Sequence, residues 1–233
     1  MSLSEKLTVI SENVPKVYEA GKDAEYEKYW TPMWRNRYAG NFNNAFTGLG
    51  WNDDNFCPPV GVSPYILSSN AMFQRSYIVD LERILKERNI TLDFSHSGFI
   101  TALFSQAARL MYVPEIDCTG SNSMSNMFES CGNLVSVKKL ILKETGTNTF
   151  ANTFLNCTSL TEIRFEGVIG NNIDFSASTK LSKASLLSIL TALSTTVTGK
   201  TATFSKVAKE LAFTDEEWNH ALNLRSNWTI NLV

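Results

Sequence analysis

Three segments in the middle of the chain carry the same apolar skeleton. Ile100 to Phe104, Met124 to Phe128 and Phe150 to Phe154 each place a large apolar residue four positions before a phenylalanine. Six residues beyond each Phe stands a leucine (Leu110, Leu134, Leu160), and nine beyond stands a β-branched residue (Val113, Val137, Ile163). Short alternating stretches follow, Glu115 to Cys118, Lys139 to Leu142 and Glu162 to Phe165. Thr91 to Phe94 has the same alternation upstream, with Phe73 and Val79 as its own pair six apart. Leu92, Ile116 and Leu140 recur at intervals of 24, as do Phe94, Cys118 and Leu142. A unit this short cannot bury its apolar side alone, so self-similarity of this kind requires neighbouring units to stack.

The expected fold class is therefore α/β, a short leucine-rich-repeat solenoid with one strand per unit and a narrow parallel sheet. Even strand positions fill the core and odd positions face out. Three residues after each Phe come Ser76, Ala107, Cys131 and Cys157, all small, which reads as a packed column where the chain turns close to the next unit. Buried thiols behave there as small apolar groups. Two outward columns follow from the register: Thr91, Glu115, Lys139 and Glu162, then Asp93, Asp117, Ile141 and Arg164. Glu115, Lys139 and Glu162 alternate in sign, each pair worth a few tenths to about 1 kcal/mol. Asp93 and Asp117 would lie on strands about 4.8 Å apart, and adjacent like charges cost energy. Water and salt screen them, or they receive a cation or a basic ligand group.

The segments Phe128-Glu-Ser-Cys131-Gly-Asn-Leu134-Val-Ser-Val137 and Phe154-Leu-Asn-Cys157-Thr-Ser-Leu160-Thr-Glu-Ile163 resemble the BspA-like leucine-rich repeat family. Its recurring unit is Phe-x-x-Cys-x-x-Leu-x-x-Ile/Val. The resemblance covers about residues 68–176; the two upstream units match loosely, with Ser76 and Ala107 at the Cys position. The opening Ile10 to Gly21 is similar to the start of short repeat proteins carried by prophages and gut Firmicutes. The resemblance implies surface display and binding to host cells, other bacteria or matrix proteins, without catalysis. It supplies no catalytic residues.

Flanking the units, three regions are expected: residues 1–60 as a helical, aromatic N-terminal cap and loop, 61–176 as the solenoid, and 177–233 as a small α+β C-terminal cap. Leu7, Ile10, Val14, Val17 and Tyr18 have helical spacing, ended by Gly21. A second helix is expected from Asp23 to about Trp34, gathering Tyr26, Tyr29, Trp30 and Trp34 on one side. Those aromatics cover the end of the stack or form an exposed platform for a sugar or a partner chain. Asn41 to Pro59 reads as a loop pinned by Phe46, Trp51 and Phe56; its Asp53 and Asp54 lack calcium-loop spacing. Beyond the repeats, Ile173 to Phe175 reads as a strand, Ser182 to Leu193 as a helix, and Thr201 to Phe204 as a strand. Thr214 to Glu217 is a capping box opening a helix to about Leu224, and Trp228 to Leu232 is a terminal strand.

Composition removes several functions. Twenty-one Lys+Arg against 23 Asp+Glu leave a net charge of −2, so no broad basic surface awaits nucleic acid. No apolar run approaches the 18 residues a membrane span needs, and no secretory signal is read near the N-terminus. Cys57, Cys118, Cys131 and Cys157 form no Cys-x-x-Cys pair, and only His96 and His220 are available to join them, so neither zinc nor any cofactor is expected. His220 reads as a surface or boundary histidine.

Three classes of function stand at this point. The first is a noncatalytic module on a phage tail or bacterial surface, contacting a protein or glycan through the strand face and loops. Release by lysis would need no export signal. The second is a structural virion or assembly protein docked by the aromatic N-terminal helix. The third is a glycan hydrolase using two carboxylates about 5 to 9 Å apart, for which Asp93 and Asp117 are the only pair the register brings together.

Overall fold

The computed structural model describes residues 40–48, 61, 63–223 and 225–233. Among them are helix α1 (Leu81–Glu87) and strands β1 (Tyr112–Asp117), β2 (Ser136–Ile141), β3 (Glu162–Glu166) and β4 (Ile173–Phe175). Helix α2 (Lys183–Ala192), β5 (Lys200–Phe204), α3 (Lys206–Ala212), α4 (Asp215–Asn223) and β6 (Trp228–Leu232) follow. The strands form two parallel three-stranded sheets, β1-β2-β3 and β4-β5-β6. The molecule is thus mixed α/β.

The phenylalanine-centred segments are tight turns. Two residues on either side of the central Phe, the backbone takes left-handed φ: Ala71 and Arg75 around Phe73, Ala102 and Gln106 around Phe104, Asn126 and Ser130 around Phe128, Asn152 and Asn156 around Phe154. Asn44 and Gly48 do the same around Phe46. Alternate N–H groups of each turn donate to carbonyls of the next one: Phe73 to Leu103 at 2.8 Å, Phe104 to Met127 at 2.8 Å, Phe128 to Thr153 at 3.0 Å. The intervening N–H groups close bonds within their own turn, as Cys131 does to Phe128. Every backbone donor needs a partner when buried, and this division supplies one without regular secondary structure.

Inside these turns the rings stack. Phe46, Phe73, Phe104, Phe128 and Phe154 follow one another at centroid separations of 5.3, 5.4, 5.5 and 5.7 Å, each pair within 19° of parallel. Phe175 of β4 continues the file 4.4 Å from Phe154, and Phe204 of β5 lies 6.2 Å further. Trp218 of α4 closes it edge-on at 5.7 Å. Each stacked pair contributes about 0.5–1.5 kcal/mol beyond the area it buries. Phe46, Phe175 and Phe204 extend the file beyond the four phenylalanines that the spacing identified.

The register departs from a uniform 24-residue sheet. Leu92, Ile116 and Leu140 are all buried, and Ile116 pairs with Leu140, but Thr91 to Phe94 is not a strand of that sheet. It forms only an isolated parallel bridge, Tyr65 with Asp93, while the N-terminal end of β1 bridges Asp80. The cause is α1, which the spacing did not reveal. Asp80 accepts from the Arg83 N–H at 2.8 Å, capping a helix that turns the chain out of the sheet. Ile78, not Val79, then points into the core.

Strict alternation also fails. Val113 and Ile116 in β1, like Val137 and Leu140 in β2, are buried three apart, whereas Ile163 in β3 stands two from the partly covered Phe165. β2 therefore carries one more residue than β3 between paired positions, and the ladder bulges between Val137↔Ile163 and Leu140↔Phe165.

The first sheet ends at β3 because α2 covers its edge with side chains. The Ile163 N–H donates to Ser185 Oγ and the Phe165 N–H to Ser188 Oγ, both at 2.9 Å. Spacing of three on a helix puts both hydroxyls on one face. The second sheet grows instead from the turn side, since Phe175 joins the ring file and the Ser178 hydroxyl donates to the Cys157 carbonyl at 3.2 Å. Gly167 passes so close to β2 that a Cβ there would lie 2.3 Å from the Leu142 carbonyl oxygen, and its φ is +87°. Helices α2 and α4 and strands β4, β5 and β6 lie where the sequence puts them; α3 is an addition. The capping box is made: Glu217 N–H to Thr214 Oγ1 at 3.2 Å, and Thr214 N–H to Glu217 Oε2 at 3.0 Å.

Candidate functional site

The outward side of β1, β2 and β3 carries charged side chains, Glu115, Lys139, Glu162 and Arg164. Glu115 on β1 pairs in register with Lys139 on β2, and their side chains meet at 3.0 Å. The second partner of Lys139 is Glu166 at 2.7 Å, in place of Glu162. The bulge explains the change: Glu162 sits opposite Ser136, and Ile141 opposite Glu166 instead of Arg164. Glu166 first and then Glu115 hold the Lys139 ammonium above its usual range by hydrogen bonding. Lys138, within the bulged stretch, reaches out to Glu82 of α1 at 2.8 Å. Glu115, Glu162 and Arg164 are exposed, so no described element packs over this face.

Asp93 and Asp117 stand at the ends of their extended segments and do a turn-making job. Asp93 Oδ1 accepts the Ser95 N–H at 2.8 Å; Asp117 Oδ1 accepts the Thr119 N–H at 2.8 Å and its hydroxyl at 2.6 Å. Asp174, the central residue of β4, does the same to Ser176 at 2.7 Å. Carboxylates that accept backbone N–H groups fix the turn and favour their own ionised form. The two turns are in backbone contact, because a Cβ on Gly120 would fall 2.2 Å from the Ser95 carbonyl oxygen. Hydrogen bonding from Ser95, with His96 nearby, holds the Asp93 carboxyl below its usual range despite partial burial.

Beside Asp93 lie residues outside the repeating pattern of spacing. The Tyr65 ring is 5.9 Å from that of His96. The Leu67 carbonyl accepts the Gly98 N–H, and the Phe99 carbonyl accepts the Ser69 N–H, which brings Leu67 and Phe99 onto neighbouring segments. Tyr65, Leu67 and Phe99 are 44, 45 and 63% exposed. Their sequence signal was the alternation Tyr65-Ile66-Leu67, one unit upstream of Thr91 to Phe94, with Ile66 as the buried member. Beneath this corner Ser69, Ser97, Ser121 and Asn148 are buried and hydrogen-bonded to one another or to neighbouring carbonyls.

The remaining candidates divide simply. Thr91 is exposed, and its N–H donates to Ser63 Oγ at 3.0 Å. Tyr26, Tyr29, Trp30, Trp34, Cys57, Asp53 and Asp54 lie outside the described residues. Cys131 and Cys157 are buried, and their thiols donate to the Phe104 and Phe128 carbonyls at 3.1 Å. Desolvation pushes the Cys157 thiol up to about 12 and that of Cys131 well above its usual value, which suits packing groups and not nucleophiles. His220 is exposed on the rim of a cleft of about 260 Å³ between α2 and α4, floored by Leu187, Leu190 and Phe213. Lys183 there is already paired with Glu217 at 2.7 Å and seated 4.8 Å over the Phe213 ring. Among the described residues no group of three or more His, Cys, Asp or Glu side chains is arranged to hold a metal. No helix among them is long and apolar enough to cross a membrane. Comparison with family models, with curated proteins and with solved structures finds no match.

Proposed function

We propose that the chain is a noncatalytic binding module, a short leucine-rich-repeat solenoid of the BspA-like kind capped at both ends. On this reading it is displayed on a phage tail or a bacterial surface, and it contacts a protein or glycan through the strand face and the adjoining loops. The observation that carries the reading is the open outward face of β1-β2-β3, with Glu115 and Arg164 exposed over a fully packed interior. The turn-to-turn hydrogen bonds and the ring file support the solenoid, since both repeat at each phenylalanine. Asp93 and Asp117 each commit one carboxylate oxygen to a turn N–H, a turn-making use that favours binding over the hydrolase alternative.

The test is capture. The immobilised chain is exposed to intact bacterial cells, to collagen and to a glycan array, beside a Glu115→Lys, Arg164→Glu variant. Both substitutions are at exposed positions and leave the core untouched. Capture of at least one target, weakened about tenfold or more in the variant, is expected. Equal capture by the variant, no capture of any target, or shortening of the bound oligosaccharide contradicts the reading.

A further inference from the structure

We propose that the corner made by Tyr65, Leu67, Asp93, His96 and Phe99, with Asp117 beside it, seats a lysine or arginine side chain of a protein partner. The inference rests on the reading of the strand face and its loops as a binding surface, and it names the chemistry of what binds.

Four observations carry it. The corner is apolar and open, with Tyr65, Leu67 and Phe99 each more than two fifths exposed on adjoining segments. Exposed aromatic and aliphatic groups in one place are the usual mark of a docking surface. Next, the polar groups at its edge are carboxylates. Oδ1 of Asp93 and of Asp117 is used by the turn N–H groups, and the Asp93 side chain is still 54% exposed. Ionised carboxylates only accept hydrogen bonds, while ammonium and guanidinium groups only donate them. A sugar hydroxyl does both and calls for donors as well. Third, among the described residues no lysine or arginine pairs with Asp93 or Asp117, and the ionic neighbour of Asp93 there is His96, at 4.0 Å. Two lysines of the strand face are engaged elsewhere, Lys139 by Glu115 and Glu166 and Lys138 by Glu82. Fourth, Tyr65 bridges Asp93 through the backbone and its ring lies 5.9 Å from that of His96, tilted by 35°, and a cation is attracted to the face of a tyrosine. Charge complementarity thus selects a basic protein segment over an acidic peptide or a neutral glycan.

The test uses the full chain and three probes: a peptide of alternating lysine and alanine, the same peptide with glutamate for lysine, and a neutral cello-oligosaccharide. Ring resonances of Tyr65 and His96 and the Ser95 amide are followed by NMR. The basic peptide is expected to shift all three, to bind about tenfold more weakly to Asp93→Asn and to Tyr65→Ala, and to weaken with added salt. Asp93→Asn keeps the oxygen that accepts the Ser95 N–H, so the turn survives and this variant carries the test alone if Tyr65→Ala does not fold. The proposal is overturned if the glutamate peptide or the oligosaccharide shifts these signals equally, if the basic peptide binds both forms alike, or if it shifts nothing. Should capture depend on Glu115 and Arg164 while the basic peptide fails here, the corner falls and the binding-face reading stands. Failure of capture with success of the peptide gives the reverse.

Discussion

Ala102 occupies a left-handed conformation, φ 54°, at a position where the next two turns place Asn126 and Asn152. An L residue with a Cβ pays about 1–2 kcal/mol there, and asparagine is the side chain that bears it best. Ala102→Asn is therefore expected to stabilise the protein by about 1 kcal/mol, read as a higher urea midpoint at unchanged slope. A lowered midpoint would mean that the Ala102 side chain makes packing contacts of greater worth than the strain. Residue identity in the turns was legible from spacing: Cys131 and Cys157 were readable as packed neighbours because a small residue recurs three positions after each Phe. The paired left-handed residues were not, since Ala71, Arg75, Ala102 and Gln106 give no turn signal of the kind Gly or Asn does. Nor did any spacing show that Asp93, Asp117 and Asp174 fold their carboxylates back onto backbone N–H groups two residues on.

Among the elements, α2 has a role that its leucine pattern does not announce. Leu186, Ile189 and Leu190 are buried as the periodicity requires, while Ser185 and Ser188 serve the edge of β3. Ser185→Ala leaves the buried Ile163 N–H and the Thr161 carbonyl without the hydroxyl, a loss of about 1–3 kcal/mol. Ser185→Thr, which keeps the hydroxyl, is expected to lose less in the same urea titration; equal losses would attribute the effect to packing alone. The departures from a uniform sheet were present in the intervals. Phe73 to Phe104 is 31 residues, seven more than the Phe104 to Phe128 interval, and α1 is seven residues long. Asp80 before Leu81, with Ile84 and Leu85 on the same face, was the local sign of that helix. Val137 to Ile163 is 26 residues while Leu140 to Phe165 is 25, and that single-residue difference is the bulge. It reassigns the ion-pair ladder from Glu162 to Glu166. What the intervals could not give is the change of side at β4, because Phe175 and Phe204 fit a strand pattern equally well on either side of the core.

At the scale of the molecule, the ring file joins the turn side of the first sheet to the strands of the second, and Glu115, Glu162 and Arg164 on the outward face of β1-β2-β3 stay exposed. Phe128 lies in the middle of that file, fully buried, between Phe104 and Phe154. Removing its ring costs about 3–5 kcal/mol in transfer and cavity terms. Native-state hydrogen exchange of Phe128→Ala is the decisive measurement, because it resolves where that loss is felt. A single file through both sheets predicts that the slowest amides of β2 and of β5 lose protection by the same amount. Loss confined to β1, β2 and β3, with β4, β5 and β6 as protected as before, would separate the two sheets into independent bodies and contradict the account.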